Sequence, residues 1–450
     1  MSVLDQRVAG DEGNRQDFRW QVPEQFNIAV DVCGRWAGER SRLALYCEDA
    51  GGRRSAYTFW DIQRQANRLS NVLAALGTLP GDRVAVSLPQ TMEHAVALVA
   101  ICQLGALSVP LPQSLAPRVL ACRLRDSGAH VLIAADESLA KVLPLRGELR
   151  SLRHIIHVGS GFAPGVRPWA AVLEHASTRY TPLRTAASDA AMIVYAERTD
   201  EQAPGMVLAQ QTLLGTLSGF RCAHECFPQP ADLFWSPVDW ATSTGLWHVL
   251  LPTWHFGVPL LAYAGDLDAP KALALIDGYG VRNAFLPESL LRAMMHQTPA
   301  PRATHDIDLR TLVSSGWPVA EDVRRWAVDK LGVRLSASFP RTGANHLLGD
   351  CAARWPVTPG SLGRAYPGHH VAVIDRAGNV LPPGVVGQLA VHRRWCDEDN
   401  PVLMLGYWRQ GATRSATLIA DVWLPTGDWA MVDDEGVLWY QEPSAIDAGG

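Results

Sequence analysis

Residues 58–88 read TFWDIQRQANRLSNVLAALGTLPGDRVAVSL, and this stretch sets the pattern for most of the chain. Thr58 and Asp61 have the spacing of a capping box, ahead of a helix that we expect to run from Phe59 to Leu76. Apolar residues recur in it every three or four positions, which gives the helix one buried face. Gly77 stops the helix, and the chain then turns into a short apolar strand at residues 83–88. This stretch therefore predicts a helix followed by a strand.

Helices and strands continue to alternate as far as about residue 360. Strands joined through helices predict mostly parallel sheets with helices on both faces. Two such series meet near residues 181–189, and short strands separated by Gly, Pro and Asp turns follow them, which predicts a small antiparallel sheet or barrel. The predicted fold class is α/β, with two successive α/β subdomains (1–185 and 186–360) of mixed or parallel sheets and a small β-barrel-like subdomain (361–450).

Composition excludes several classes of partner. Hydrophobic residues make up 48% and charged residues 19% of the 450, and the net charge is −5, as in a packed globular protein without a basic block. We therefore expect neither nucleic acid nor an anionic membrane as a partner. Residues 95–112 carry no charge, but Gln103, Gly105 and two prolines favour a buried helix running into a buried strand over a membrane span.

Cysteine usage and the first residues bear on location and metals. The polar, acidic sequence of residues 1–16 differs from a secretory signal, and with thiols that form no evident disulfide framework it predicts the cytoplasm. Cys222, His224 and Cys226 are close in sequence, but no second ligand pair accompanies them. We expect a helix surface or core segment there rather than a metal site.

Several stretches, in a fixed order, carry a resemblance to a known family. They are residues 18–37 (FRWQVPEQFNIAVDVCGRWA), 57–90, 232–263 (DLFWSPVDWATSTGLWHVLLPTWHFGVPLLAY) and 424–440 (LPTGDWAMVDDEGVLWY). Together they resemble the adenylate-forming superfamily and, within it, the acetyl- and medium-chain acyl-CoA synthetases. The resemblance implies a reaction in which a carboxylate attacks the α-phosphate of ATP, giving an acyl-adenylate and pyrophosphate, before coenzyme A displaces AMP.

The resemblance also implies a nucleotide site, carried over one position at a time. Gly316 and Trp317 would line the adenine, although Trp317 could equally fill that slot and keep nucleotides out. Phe339 would pack on the adenine, Thr342 would contact a phosphate, and the Asp428 carboxylate would accept hydrogen bonds from both ribose hydroxyls. In a separate region, Trp240 maps near the acyl pocket, and core packing explains that indole equally well.

Other positions depart from the family pattern. The family's phosphate-binding loop maps onto residues 195–205, YAERTDEQAPG. The glycines and the lysine of the family pattern are missing there, and Pro204 lies about where the lysine would be. Its carboxylates repel a polyphosphate, so a surface turn without chemistry is favoured. Gly343 replaces the glutamate that helps to hold Mg²⁺, and residues 441–450 match neither the hinge nor the C-terminal lid, which we therefore expect to be absent. We accordingly assign no catalytic residue and no metal ligand.

Three functional hypotheses follow. The first is an AMP-binding, acyl-CoA synthetase-like protein of fatty acid metabolism that is degenerate and truncated, a pseudoenzyme with little or no activity. The second is a working acyl-CoA ligase with atypical site residues or with a lid supplied by another chain. The third is a non-catalytic subunit that forms a homo- or hetero-oligomer with an intact synthetase. The expected ligands are ATP or AMP and an acyl group, whereas these departures argue against Mg²⁺ and coenzyme A.

Overall fold

The computed structural model of the chain describes residues 18–161, 163–196, 203–315, 319–341, 343–396, 398–409 and 411–442. Short helical turns of π or 3₁₀ type add to the α-helices at Val30–Gly34, Leu143–Glu148, Leu246–Leu250, Pro301–Ala303 and Ala327–Leu331. The α-helices themselves are, in chain order, α1 (Phe59–Ala75), α2 (Met92–Gln103), α3 (Pro117–Ser127), α4 (Asp136–Val142), α5 (Trp169–Glu174), α6 (Thr212–Ala223), α7 (Ser243–Gly245), α8 (Leu251–His255), α9 (Ala269–Tyr279), α10 (Glu288–Gln297) and α11 (Glu321–Trp326).

The strands alternate with these helices until the last quarter of the chain, as expected. They are β1 (Leu43–Asp49), β2 (Arg54–Thr58), β3 (Arg83–Ser87), β4 (Leu107–Pro110), β5 (Val131–Ala135), β6 (His154–Val158), β7 (Arg167–Pro168), β8 (Ala190–Tyr195), β9 (Gly205–Ala209), β10 (Phe234–Trp235), β11 (Leu260–Ala264), β12 (Asn283–Phe285), β13 (Thr311–Ser314), β14 (Leu335–Arg341), β15 (Asn345–Gly349), β16 (Arg364–Ala365), β17 (Val371–Ile374), β18 (Gly387–His392), β19 (Arg394–Trp395), β20 (Glu398–Asp399), β21 (Gly406–Arg409), β22 (Ala412–Arg414), β23 (Trp423–Val432) and β24 (Leu438–Gln441).

Two large mixed sheets confirm the predicted fold class. The first has the strand order β22-β21-β9-β8-β4-β3-β5-β6-β7, and the second has the order β16-β15-β14-β13-β12-β10-β11-β1-β2. Central strands pair in parallel, as β3 does with β4 and β5 and as β13 does with β12 and β14. A smaller antiparallel sheet, β17-β18-β23-β24, follows and matches the β-rich unit expected after residue 360.

Sheet membership does not follow the order of the chain. Strands β1 and β2 lie at an edge of the second sheet, since β1 pairs in parallel with β11. Strands β8 and β9 belong to the first sheet, where β9 also pairs with β21. Long-range pairing therefore crosses the boundary expected between residues 185 and 186, and the three-part division stays a prediction about folding units.

Local signals set the helices as the sequence indicates. At the start of α1 the Thr58 hydroxyl oxygen accepts from the Asp61 amide at 3.2 Å, and the Asp61 carboxylate accepts from the Thr58 amide at 3.0 Å. The uncharged stretch near residue 100 forms α2 and β4 as two separate elements, and every residue from His94 to Gln103 is buried. Among the described residues, no helix combines the length and apolar character needed to cross a membrane.

Buried histidines are an unusual feature of the core. Two of them, His248 and His346, stack with ring centroids 3.7 Å apart. Burial lowers the pKa of His94 to about 4 and the pKa values of His248 and His369 to about 3, and it also holds the pKa values of His224 and His346 well below the usual range. These five rings are therefore neutral in the folded protein at ordinary pH.

We predict that acid destabilises the fold through these histidines. In the unfolded chain they bind protons below about pH 6.5, whereas in the folded chain they stay neutral until the pH is much lower. The free energy of unfolding is therefore greatest above about pH 6.5 and falls as the pH drops, by up to about 1.4 kcal/mol per pH unit for each histidine.

The midpoint of thermal unfolding, measured from about pH 8 to about pH 5, checks this. His248→Gln should make the pH dependence shallower, whereas His175→Gln should not, because the His175 side chain is 90% exposed. A midpoint that stays constant over this range in the unmodified protein would show that the histidines are not buried as described.

Candidate functional site

The candidate site lies where two parallel strands of the second sheet end. Strands β13 and β14 run side by side with Ser314 opposite Ala337, and β14 continues to Arg341. Ligands of open α/β sheets commonly bind at such carboxyl ends. The expected adenine-lining residues Gly316 and Trp317 follow β13, and Thr342 follows β14. All three lie outside the described residues, so their roles stay predictions.

Phe339 lies on β14 near this edge, but it is not open to solvent. Its side chain is 3% exposed and packs in a core cluster with residues of β15 and of the small sheet. The guanidinium carbon of Arg341 lies 4.1 Å from the ring centroid of Phe339, in cation–π geometry. An adenine ring could therefore pack on Phe339 only after this guanidinium moves.

Asp428 lies on a bulge within β23. This strand extends from Trp423 to Val432 and pairs with β18 on one side and β24 on the other. Only Leu389 of β18 faces residues 426–428, and Gly427 takes φ +86°. The Thr426 hydroxyl donates to the Leu389 carbonyl at 2.9 Å and fixes the bulge. A bulge of this kind redirects the side chain that follows it.

The Asp428 carboxylate forms a bidentate ion pair with Arg341. Nε of Arg341 donates to one carboxylate oxygen and Nη2 to the other, both at 2.5 Å. The Asp428 side chain is 15% exposed and the Arg341 side chain 36% exposed. Both oxygens that the resemblance assigns to ribose hydroxyls are therefore engaged by an arginine of the same chain.

The surroundings of Gly343 do not fit Mg²⁺. Gly343 has φ +93°, and a Cβ added there would lie 3.1 Å from the sulfur of Met404 and 3.4 Å from that of Met206. Mg²⁺ requires hard oxygen ligands, and thioether sulfur is a soft ligand. Within the part of the chain that the structure describes, no three His, Cys, Asp or Glu side chains are grouped to hold a metal. This position is built for glycine next to methionine rather than for a metal-binding carboxylate.

The loop expected at residues 195–205 connects two antiparallel strands, with Tyr195 at the end of β8 paired to Gly205 at the start of β9. Residues 197–202 lie outside the described ranges, so the loop's predicted lack of chemistry is untested. Tyr195 itself is buried, and its hydroxyl donates to the Asp126 carboxylate at 2.7 Å. Burial, strengthened by this carboxylate, holds the tyrosine pKa above its usual value. The base of the loop lies near the site, because the sulfur of Met206, which follows Gly205, would lie 3.4 Å from a Cβ added at Gly343.

Trp240 is in the core. Its indole is fully buried and lies edge-on to the His94 ring with centroids 5.8 Å apart. The neighbouring tryptophans Trp235, Trp247 and Trp254 are fully buried too. This burial fits core packing, and the acyl-pocket role of Trp240 stays a prediction.

Three residues at the site, Arg341, Met404 and Met206, could not be assigned to it from the sequence pattern. Arg341 was visible as a cation two positions after the aromatic residue of the motif. That signal predicted a charged strand end but not its partner, which is 87 positions away in sequence. The two methionines carried no signal, because β9 and the segment before β21 approach Gly343 only in the folded chain.

Known proteins are similar to this chain over most of its length. A family model described as "AMP-binding enzyme" matches residues 35–408. The acetyl-coenzyme A synthetase of Bacillus subtilis is 25% identical over 423 residues, covering 93% of this chain and 72% of that protein. The human mitochondrial acyl-coenzyme A synthetase ACSM5 is 27% identical over 434 residues, covering 94% of this chain and 73% of that protein.

Solved structures share the fold. The crystal structure of a Brucella canis acyl-CoA synthetase matches with a TM-score of 0.85 and 24% identity, over 98% of this chain and 78% of that one. The anthranilate CoA ligase AuaEII, solved with anthranoyl-AMP, matches with a TM-score of 0.83 and 22% identity, over 95% of this chain and 79% of that one. These likenesses bear on architecture alone.

We predict that a carboxylate at position 343 destabilises the protein without creating a Mg²⁺ site. Gly343→Glu must displace the Met404 sulfur, which lies 3.1 Å from the added Cβ, and this costs about 1–3 kcal/mol beyond the backbone strain. Gly384→Glu is the matched control, because Gly384 has a similar φ of +82° and no heavy atom within 4 Å of an added Cβ. The measurement is the thermal unfolding midpoint with and without Mg²⁺. Equal midpoints for the two variants, together with a Mg²⁺-dependent rise in Gly343→Glu alone, would contradict the prediction.

Proposed function

The chain belongs to the family of AMP-binding enzymes, and on that premise we propose that it is an acyl-CoA synthetase-like protein with little or no adenylating activity. The substrates of such a ligase are a carboxylic acid, ATP and coenzyme A. We propose that this chain keeps the family's nucleotide-contacting positions. It lacks the groups that promote chemistry at the phosphates. AMP or an acyl-adenylate is therefore a better candidate ligand than ATP with Mg²⁺.

One observation supports the proposal that the chain binds a nucleotide. Phe339 and Asp428 lie 89 positions apart in sequence and in two different sheets, yet both contact the same guanidinium of Arg341. An aromatic face and a carboxylate that meet at one point are the groups that a nucleoside requires, the first for its base and the second for its sugar hydroxyls. Their convergence supports a nucleotide site at this junction.

Three features support the proposal that adenylating activity is low. Gly343 offers no carboxylate, and its neighbours are sulfur atoms. Asp428 is already paired with Arg341. The loop of residues 195–205 carries Glu197, Asp200 and Glu201 and no lysine, so it adds negative charge where a polyphosphate needs positive charge. Losing one such electrostatic group commonly lowers a rate by about 10²–10³-fold, and losses within one site do not simply add.

The cytoplasmic location and a homo- or hetero-oligomeric state stay predictions, as does the expectation against coenzyme A. The family relation supports an acyl substrate, and the buried Trp240 does not select among acyl chains. A working ligase with atypical site residues is the alternative that the next experiment separates from our proposal.

Pyrophosphate exchange tests the proposal. The purified chain is incubated with ATP, Mg²⁺, labelled pyrophosphate and a panel of carboxylic acids, with the Bacillus subtilis acetyl-coenzyme A synthetase as the positive control. We expect exchange to be undetectable or at least about 10²-fold below the control. Pro204→Lys should not restore it, because Gly343 and the Arg341–Asp428 pair are unchanged. Exchange at the control's rate in the unmodified protein, or clear rescue by the single lysine, would refute low activity.

A further inference from the structure

Arg341 makes two contacts at the junction of the second sheet and the small sheet. Its guanidinium carbon lies 4.1 Å from the Phe339 ring centroid, and its N–H groups engage both oxygens of Asp428 at 2.5 Å. Building on the proposed function, we propose that Arg341 is an internal ligand of the nucleotide site and makes that site selective for nucleotides over nucleosides.

Arg341 uses the same groups that an adenosine would use. The aromatic face of Phe339 is the surface on which a base would stack, and the Asp428 oxygens are the acceptors for vicinal sugar hydroxyls. Each Asp428 oxygen already accepts a charged N–H, and the same guanidinium covers the Phe339 ring, so a nucleoside whose base stacks on that ring must displace the guanidinium. The nucleoside offers neutral hydroxyls in exchange, and these form weaker hydrogen bonds to a carboxylate than a guanidinium does.

A nucleotide differs because it brings a new partner for the displaced arginine. A phosphate accepts two parallel N–H bonds from a guanidinium, much as a carboxylate does. When the ribose hydroxyls of AMP replace Arg341 at Asp428, the guanidinium can donate to the phosphate of the same AMP, so its positive charge is again neutralised. Adenosine leaves that charge without a close anion. For AMP, the new pair between Arg341 and the phosphate therefore offsets the loss of the Arg341–Asp428 pair. For adenosine, nothing offsets that loss.

The backbone on both sides of the ion pair is held by hydrogen bonds, whereas the Arg341 side chain can rotate. The main chain of Arg341 pairs with Asn345 in the β14–β15 ladder, and the bulge before Asp428 is pinned by the bond from Thr426 to Leu389. The Arg341 side chain is 36% exposed, so its rotation away from Phe339 and Asp428 does not require the core to open. Opening the site is then a side-chain rearrangement on a fixed frame.

Calorimetric titration of the full chain with adenosine and with AMP, without Mg²⁺, tests this inference. In the unmodified protein we expect AMP to bind at least about tenfold more tightly than adenosine. In Arg341→Gln, adenosine affinity should rise by about tenfold and AMP should lose its advantage, because neither the internal ligand nor the phosphate partner remains.

Two further variants keep the test decisive. Arg341→Lys keeps the charge but cannot donate in parallel to both oxygens, so it should bind adenosine more tightly than the unmodified protein while still preferring AMP. Arg53→Gln is the matched control, because Arg53 pairs with Asp49 at an exposed edge of the same sheet; it should change neither affinity. Circular dichroism spectra establish that each variant is folded.

The outcomes separate this inference from the proposed function. Equal affinities for adenosine and AMP in the unmodified protein, unchanged in Arg341→Gln, would overturn the role of Arg341 and leave the nucleotide site standing. Loss of AMP binding in Arg341→Gln without any gain for adenosine would make Arg341 a simple phosphate ligand and would also overturn it. Absence of binding by every folded variant would contradict the nucleotide site itself, and the inference with it.

Discussion

The bidentate ion pair between Arg341 and Asp428 joins the last parallel strand of the second sheet to the bulged strand of the small sheet. Its partners are 36% and 15% exposed, which places it between a surface pair and a buried one. After allowance for solvent screening, we assign the pair about 1 kcal/mol of stability. That energy is small for the fold but large for a ligand, because about 1.4 kcal/mol corresponds to a tenfold change in affinity. The pair therefore matters more for recognition than for folding.

The surroundings of the pair are consistent with its role. A phosphate site based on Mg²⁺ needs oxygen ligands beside the nucleotide, and at Gly343 the chain instead provides a left-handed glycine flanked by Met206 and Met404. Met206 lies on β9 of the first sheet and Met404 just before β21 of that sheet, whereas Gly343 lies between β14 and β15 of the second sheet, so the glycine is at a contact between the two sheets. A carboxylate introduced at this position would have thioether sulfurs as its nearest neighbours, and these are not ligands that Mg²⁺ favours.

Local features of the fold could be predicted from the sequence. The Thr58–Asp61 capping box and the uncharged helix near residue 100 depend on residues close together in the chain, and both appear as expected. The placement of β1 and β2 in the second sheet could not be predicted, because it depends on pairing with β11, which lies more than two hundred residues later. For the same reason, Phe339 and Asp428 could be identified by motif order, whereas Arg341 was identified only from contacts in the folded chain.

A crystal structure of the unmodified protein soaked with AMP tests the central claim most directly. We expect AMP to place its ribose at Asp428, and Arg341 to turn away from Phe339 to meet the phosphate. AMP bound at Phe339 and Asp428 with the Arg341–Asp428 pair still intact would contradict this claim.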